Sequence, residues 1–167
     1  MELTSHGIEI DIPRGWDGEI YKRSAGLGAL DQSAGETKPV VHLGNFPLKP
    51  GRGDFGSGAV EVMGADNILI VLFEYGADSV GTKLFASSGM PSVSADDFAP
   101  HTMQRPLPGQ SGAQFFFTEQ GRAFCLYLVL GSHARRHQLV PEVNLVLSTL
   151  NLSTNKPIGS DRSLGIE

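Results

Sequence analysis

This 167-residue chain has little of what usually identifies a protein's chemistry. It has one cysteine, Cys125, which excludes an internal disulfide framework and fits a reducing compartment. Basic residues are few: 13 Lys and Arg stand against 18 Asp and Glu, a net charge of −5. The cationic surplus that non-specific nucleic-acid binding needs is therefore missing. Apolar runs such as Ile68–Phe73 fall far short of the roughly 20 residues of a membrane helix. The opening Met1–Gly7 has neither the basic nor the apolar stretch of a secretory signal. Together these features imply a cytoplasmic domain that uses neither nucleic acid nor membrane as its partner, a monomer or a homodimer. Catalytic signatures are also scarce. The sequence has no Gly-x-Ser-x-Gly elbow, no Walker loop, no Cys-x-x-Cys and no His-Glu-x-x-His, so motif alone selects no enzyme class and no cofactor.

What is present is 40% apolar residues, 21 Gly and 10 Pro, in a length that suits one domain and buries about two thirds of its unfolded surface. Ile8-Glu9-Ile10-Asp11-Ile12 alternates strictly and reads as a half-buried strand stopped by Pro13-Arg14-Gly15. Trp16–Arg23 reads as a returning strand and Val40–Phe46 as the next. Ser57–Met63 is expected to form a helix of two turns, and Thr82–Ala86 a short strand. Asn67–Tyr75 is apolar on both faces, which places it mid-sheet. Ser94-Ala95-Asp96-Asp97 resembles a helix start, with Ser94 as cap and the acids in the first turn.

Ala113–Thr118 and Arg122–Leu130, joined by Glu119-Gln120-Gly121, predict a hairpin with glycine at its turn. In its second strand Phe124, Leu126, Leu128 and Leu130 face one way, and Ala123, Cys125, Tyr127 and Val129 the other, so this strand too is central. In Gln138–Leu150 the apolar Val143, Val146, Leu147 and Leu150 recur at helical spacing, with Pro141 expected in the first turn. The domain is expected to span 1–152. Residues 153–167 have the composition of a disordered tail. Glycine and proline concentrate in three irregular segments, 24–38, 47–58 and 87–112.

This order, with hairpins in place of regular β-α alternation, predicts an α+β domain with a mainly antiparallel sheet. Two strands apolar on both faces need cover on each side, so a three-layer α/β/α sandwich is expected. The turn Ile12-Pro13-Arg14-Gly15-Trp16 and the closing Leu147-Ser148-Thr149-Leu150-Asn151-Leu152 resemble the corresponding segments of PsbP-like domains. The resemblance covers residues 7–152. It implies an α/β/α sandwich of the kind found in uncharacterised bacterial members of that superfamily, and a non-catalytic, partner-binding role.

His133, Arg135, Arg136 and His137 form a basic cluster before the last helix, suited to an acidic partner surface, a phosphate or a carboxylate. His133 and His137 have i, i+4 spacing, but no acidic or thiol third ligand stands beside them, so no metal site is expected. Long irregular loops on a rigid sheet tend to carry function, which adds Pro100–Gly112, with Gln104 and Arg105, to that surface. The leading expectation is a non-enzymatic binding domain acting through a protein partner. The alternative is a small-molecule or anion-binding protein, or an enzyme, using the basic cluster and the 51–58 loop.

Gly51-Arg52-Gly53-Asp54-Phe55-Gly56 spells G-x-G-x-x-G, but Pro47 and Pro50 separate it from the preceding strand and no β-α-β unit follows. It reads as a turn-rich loop in which Arg52, Gly53, Ser57 and Gly58 offer a weak anion site. Cys125 reads as a buried core thiol and Trp16 as a core anchor. Glu74 and Tyr75, where an apolar strand ends, read as solvent positions.

Overall fold

The computed structural model describes residues 1–22 and 37–154. The expected 24–38 loop and 153–167 tail fall mostly outside these residues. Among them are eight strands and one α-helix. The strands are β1 (Glu2–Ser5), β2 (Ile8–Asp11), β3 (Asp17–Lys22), β4 (Pro39–Gly44), β5 (Ile68–Tyr75), β6 (Ser111–Glu119), β7 (Arg122–Leu130) and β8 (Asn151–Leu152), and the helix is α1 (Arg136–Ser148). Every pairing between named strands is antiparallel. Five strands form the main sheet in the order β3-β4-β5-β7-β6, and three form a small sheet, β1-β2-β8.

The two doubly apolar strands, β5 and β7, lie side by side inside the main sheet, with Ile68 opposite Leu130 and Tyr75 opposite Ala123. Alternation then sorts the core into two halves. Ile68, Ile70, Leu72, Phe124, Leu126 and Leu128 pack against α1 and the isoleucines of β2. Leu69, Val71, Phe73, Cys125, Tyr127 and Val129 face the opposite way, onto Phe46, Val60 and Met103. α1 buries Leu139, Val140, Val143, Val146 and Leu147. At about 2 kcal/mol per aliphatic side chain that is roughly 10 kcal/mol gross, and a charge at Val143, the deepest of the five, would undo the docking.

This arrangement corrects the expected three-layer α/β/α sandwich. The protein is a mainly-β fold: one face of the main sheet is covered by α1 and the small sheet, the other by loops and single 3-10 turns. Two-faced apolar strands require cover, but Phe46, Phe55, Val60 and Met103 supply it from irregular chain. The expected helix at Ser57–Met63 is one 3-10 turn, Val60–Val62, and the expected strand at Thr82–Ala86 is another, Lys83–Phe85. The strand expected over Trp16–Arg23 forms as Asp17–Lys22, in the main sheet and not beside β2. β3 pairs with β4 in the main sheet, and β2 takes β1 and β8 as partners. Pro141 lies in the second turn of α1, because the Ser132–Arg136 turns start the helix at Arg136. The hairpin forms as the sequence indicates. Gln120 and Gly121 both have positive φ, which matches the twist of the flanking strands.

The solvent position expected for Glu74 is also corrected. Glu74 and Arg122 are buried together at the end of the main sheet next to the small sheet, with side chains 4% and 5% exposed. Arg122 uses all five guanidinium N–H groups. Nε donates to Glu74 Oε2 (3.1 Å), and Nη2 to Glu74 Oε1 (2.6 Å) and the His6 carbonyl (3.0 Å). Nη1 donates to the carbonyls of Gly7 (3.1 Å) and Ser153 (2.9 Å). One side chain thereby ties the β1–β2 turn and the end of β8 to the main sheet.

Candidate functional site

At the opposite end of the main sheet β5 begins, β7 ends and β6 begins. Gly131 leaves β7 by donating its N–H to the Asn67 carbonyl at 2.8 Å, so close to the Gly64 carbonyl that a Cβ there would overlap it. Two residues on, the His133 N–H donates to the Gly109 carbonyl at 2.7 Å. That bond seats the irregular 99–110 segment beside the entrance to α1. The structure thus brings together the two segments that the sequence singled out separately.

Gln104 and Arg105 on the 99–110 segment and His137 in α1 are exposed, and Arg136 is half-buried. Arg135 forms a surface ion pair with Asp66, and Arg136 Nη1 donates to the His133 carbonyl at 3.0 Å. An exposed pair of this kind is worth about 1 kcal/mol or less, so Arg135 can exchange it for another carboxylate. The loop is anchored from below. The Tyr127 hydroxyl accepts from the Gln104 N–H at 2.9 Å, and Gln110 Nε2 donates to the Val60 carbonyl at 2.8 Å. Burial pushes the Tyr127 hydroxyl above its ordinary range. Gln110 Oε1, Ser111 Oγ and His133 Nδ1 are buried at this junction with no hydrogen-bond partner among the described residues. His133 precedes α1, so it does not share a helix face with His137 as the i, i+4 spacing would require. No group of three or more His, Cys, Asp or Glu among the described residues is placed to hold a metal.

The 51–58 loop lies on the loop-covered face, where it closes a polar network that the sequence reading missed. His42 in β4 is fully buried. Arg52 Nε donates to its Nδ1 at 2.9 Å. A guanidinium only donates, so Nδ1 is the bare nitrogen and Nε2 carries the proton. Nε2 in turn donates to the Asp54 carbonyl at 2.8 Å, and the Tyr21 hydroxyl donates to Asp54 Oδ1 at 2.7 Å. Arg52 also bonds the Lys49 carbonyl (2.6 Å) and pairs with Glu19. Burial first, and then the neighbouring Arg52 charge, hold His42 below its ordinary value. Burial and the Asp54 carboxylate hold the Tyr21 hydroxyl up.

Three of the four donors proposed for an anion are therefore engaged. Arg52 serves His42 and Glu19, the Gly53 N–H bonds the Ser57 carbonyl (2.8 Å), and the Gly58 N–H bonds Glu61 Oε2 (2.6 Å). Ser57 is exposed. The loop packs on one face of the main sheet and α1 on the other, and neither of two clefts in the surface is lined by both segments. The sequence signal for this network is a histidine within an otherwise apolar strand, which implies a buried partner.

Cys125 is fully buried, with its thiol pushed up by burial. Asp97 and Ser94 cap the Ala95–Asp97 turn reciprocally, and the side chain of Asp96 is exposed. Trp16 is half-buried against the α1-side core. No helix of the described residues is long and apolar enough to cross a membrane. Comparison with protein-family models, with curated proteins and with solved structures finds no match, so the PsbP-like resemblance rests on its two short segments alone.

Proposed function

We propose that this chain is a non-enzymatic, cytoplasmic binding domain that acts through a protein partner with an acidic surface, engaged by the junction of the 99–110 loop and the α1 entrance. The observation that carries the reading is the Gly109–His133 main-chain bond, which joins the 99–110 segment, with Gln104 and Arg105 exposed on it, to the chain that enters α1 at Arg135, Arg136 and His137. Arg135 and Arg136 at the α1 entrance, with Asp66 paired to Arg135, and Arg105 on the adjoining segment are basic groups on a chain of net charge −5. Such complementarity favours encounter with an acidic surface and fixes its orientation. The cytoplasmic element rests on the unpaired, buried Cys125.

The test is site-specific photo-crosslinking from positions 104 and 105 in the native host, with the product identified by mass spectrometry. One defined protein product is expected, and it should be lost when Arg135→Glu and Arg136→Glu are combined in a chain whose circular dichroism is unchanged. A crosslink pattern indifferent to the charge reversal overturns the reading.

A further inference from the structure

β6 is an edge strand of the main sheet, and among the described residues its free side is closed only at its two ends. Antiparallel alternation turns the N–H and C=O of Gly112, Gln114, Phe116 and Thr118 away from β7. Gly112 exchanges both groups with Ala99 at 3.0 Å. Thr118 donates to the Ser87 carbonyl (2.8 Å) and accepts from the Gly89 N–H (2.9 Å). Between these two clamps the outward main-chain groups of Gln114 and Phe116 meet no partner among the described residues. The 88–98 segment, which runs from one clamp to the other, stands off the strand there. It leaves an open cleft of about 540 Å³ between Ser87–Ser92 and Gln114–Phe117.

The cleft has one unpaired main-chain ladder and two apolar flanks. Phe115 and Met90 lie on the α1 side. Phe116 lies on the other, its ring 5.6 Å from that of Phe85. Among the described residues no charged side chain lines the cleft. An unpaired edge of this form is a template for a further strand.

We propose that Gln114–Phe116 is a receptor for a short, extended, uncharged peptide segment of a partner protein, added to β6 as a sixth strand with an apolar side chain against Phe115 or Phe116. The length of the gap selects this occupant over a second copy of the chain. Gly112 and Thr118 are six residues apart, roughly 20 Å, and the interval is fenced at both ends by the chain's own 87–99 segment. Two β6 edges, each carrying that fence, cannot close to the roughly 4.8 Å spacing of paired strands, whereas a loop tip or chain end of three to five residues, by the same rise of about 3.4 Å per residue, enters between the clamps. The site is separate from the junction surface, and its failure leaves that reading standing.

The probe is a pool of acetylated, amidated tetrapeptides with Val, Ile, Leu or Phe at alternate positions and Thr between, titrated into the ¹⁵N-labelled full chain. The expected result is saturable shifts of the Gln114 and Phe116 amides, with slowed hydrogen exchange at both. For the best binder, N-methylation of the amides facing β6 should weaken binding about tenfold or more, while methylation of the alternate set leaves it unchanged. Gln114→Pro removes an outward donor and no ladder bond to β7, and should abolish binding in a folded chain. No shift at these two amides across the pool at millimolar peptide overturns the proposal. So does equal loss from both methylation patterns, which would show apolar adhesion only. A concentration-dependent dimer with the same two amides already protected would assign the edge to a second copy and overturn it as well.

Discussion

Replacing Arg122 by methionine tests what ties the two sheets together. The substitution keeps an unbranched stem over Phe124, whose ring lies 5.1 Å from the guanidinium carbon, and removes five donated hydrogen bonds. Three of the abandoned acceptors are carbonyls at the β1–β2 turn and just past β8, where His6 and Ser153 are exposed and water can take over. The fourth partner, the Glu74 carboxylate, is only 4% exposed and would be left without a counter-charge. Orphaning one member of a buried ion pair costs about 3–5 kcal/mol. For a folded region of this size the unfolding entropy is about 0.3 kcal/mol per degree, so Tm should fall by roughly 10–17 °C. Urea denaturation with an unchanged m-value would read the same loss, and amide exchange should show Ile8 and Ile10 opening before β5 and β7. The double variant Arg122→Met with Glu74→Leu removes both charges and should recover most of the deficit. A single-variant cost below about 1 kcal/mol, or a double variant no better than the single, would refute the reasoning.

His42 sets a pH dependence. Its folded value lies below the ordinary 6.5, so the unfolded chain binds the extra proton. Its contribution is complete above about pH 6.5 and is lost as pH falls below that toward the folded value, at up to about 1.4 kcal/mol per pH unit. Urea unfolding between pH 7.5 and pH 5 should show this slope in the wild type and a shallower one in His42→Gln; equal slopes would contradict it. Ser111 makes the opposite kind of test. Its hydroxyl is buried without a partner among the described residues, so Ser111→Ala should be neutral or stabilising by up to about 1 kcal/mol, and a loss of more than about 1 kcal/mol in the same assay would reveal a bond at that oxygen.

The sequence made elements legible where periodicity was long and their partners illegible where it was not. β2, β5, the β6–β7 hairpin and α1 were readable because eight or more residues, or three alternating isoleucines, carried the pattern. Alternation names a face and not a neighbour, so nothing in Ile8–Ile12 shows that β2 joins a different sheet from β3. β1 has one apolar side chain in four residues and β8 is two residues long, and both exist by pairing with β2. At 57–63 an apolar pair fits helix or strand, and the glycines at 56, 58 and 64 confine it to one turn. The basic residues of the junction were visible as charge. Their adjacency to the 99–110 loop was not, because it depends on a carbonyl at Gly109 and an N–H at His133 that any residue pair would supply. Arg52 was visible too, but its engagement with His42 ten residues earlier depends on how the loop folds back over β4.

The distribution of these polar devices argues for where the molecule can change. Arg122 fixes the small sheet at one end, and the Tyr21–His42–Arg52–Asp54 network fixes the loop cover over β3 and β4. Disturbing either leaves a buried charge or an unsatisfied imidazole, so both regions are expected at the stable end of the local-unfolding range. The 99–110 loop is held by bonds to Tyr127, Val60 and His133 and by the buried Met103. The 88–98 segment is held by a clamp at each end of β6, by the Asn144 side chain on both main-chain groups of Val93, and by the buried Val93, Ala95 and Phe98. Moving either segment as a whole would uncover core, so a partner meets the least resistance where no core side chain has to move, at the exposed residues of the junction and at the open main-chain groups of the β6 gap. They share one segment, 87–110, so a peptide held against Gln114–Phe116 and a protein held by Arg105 and Arg136 would act on the same stretch of chain.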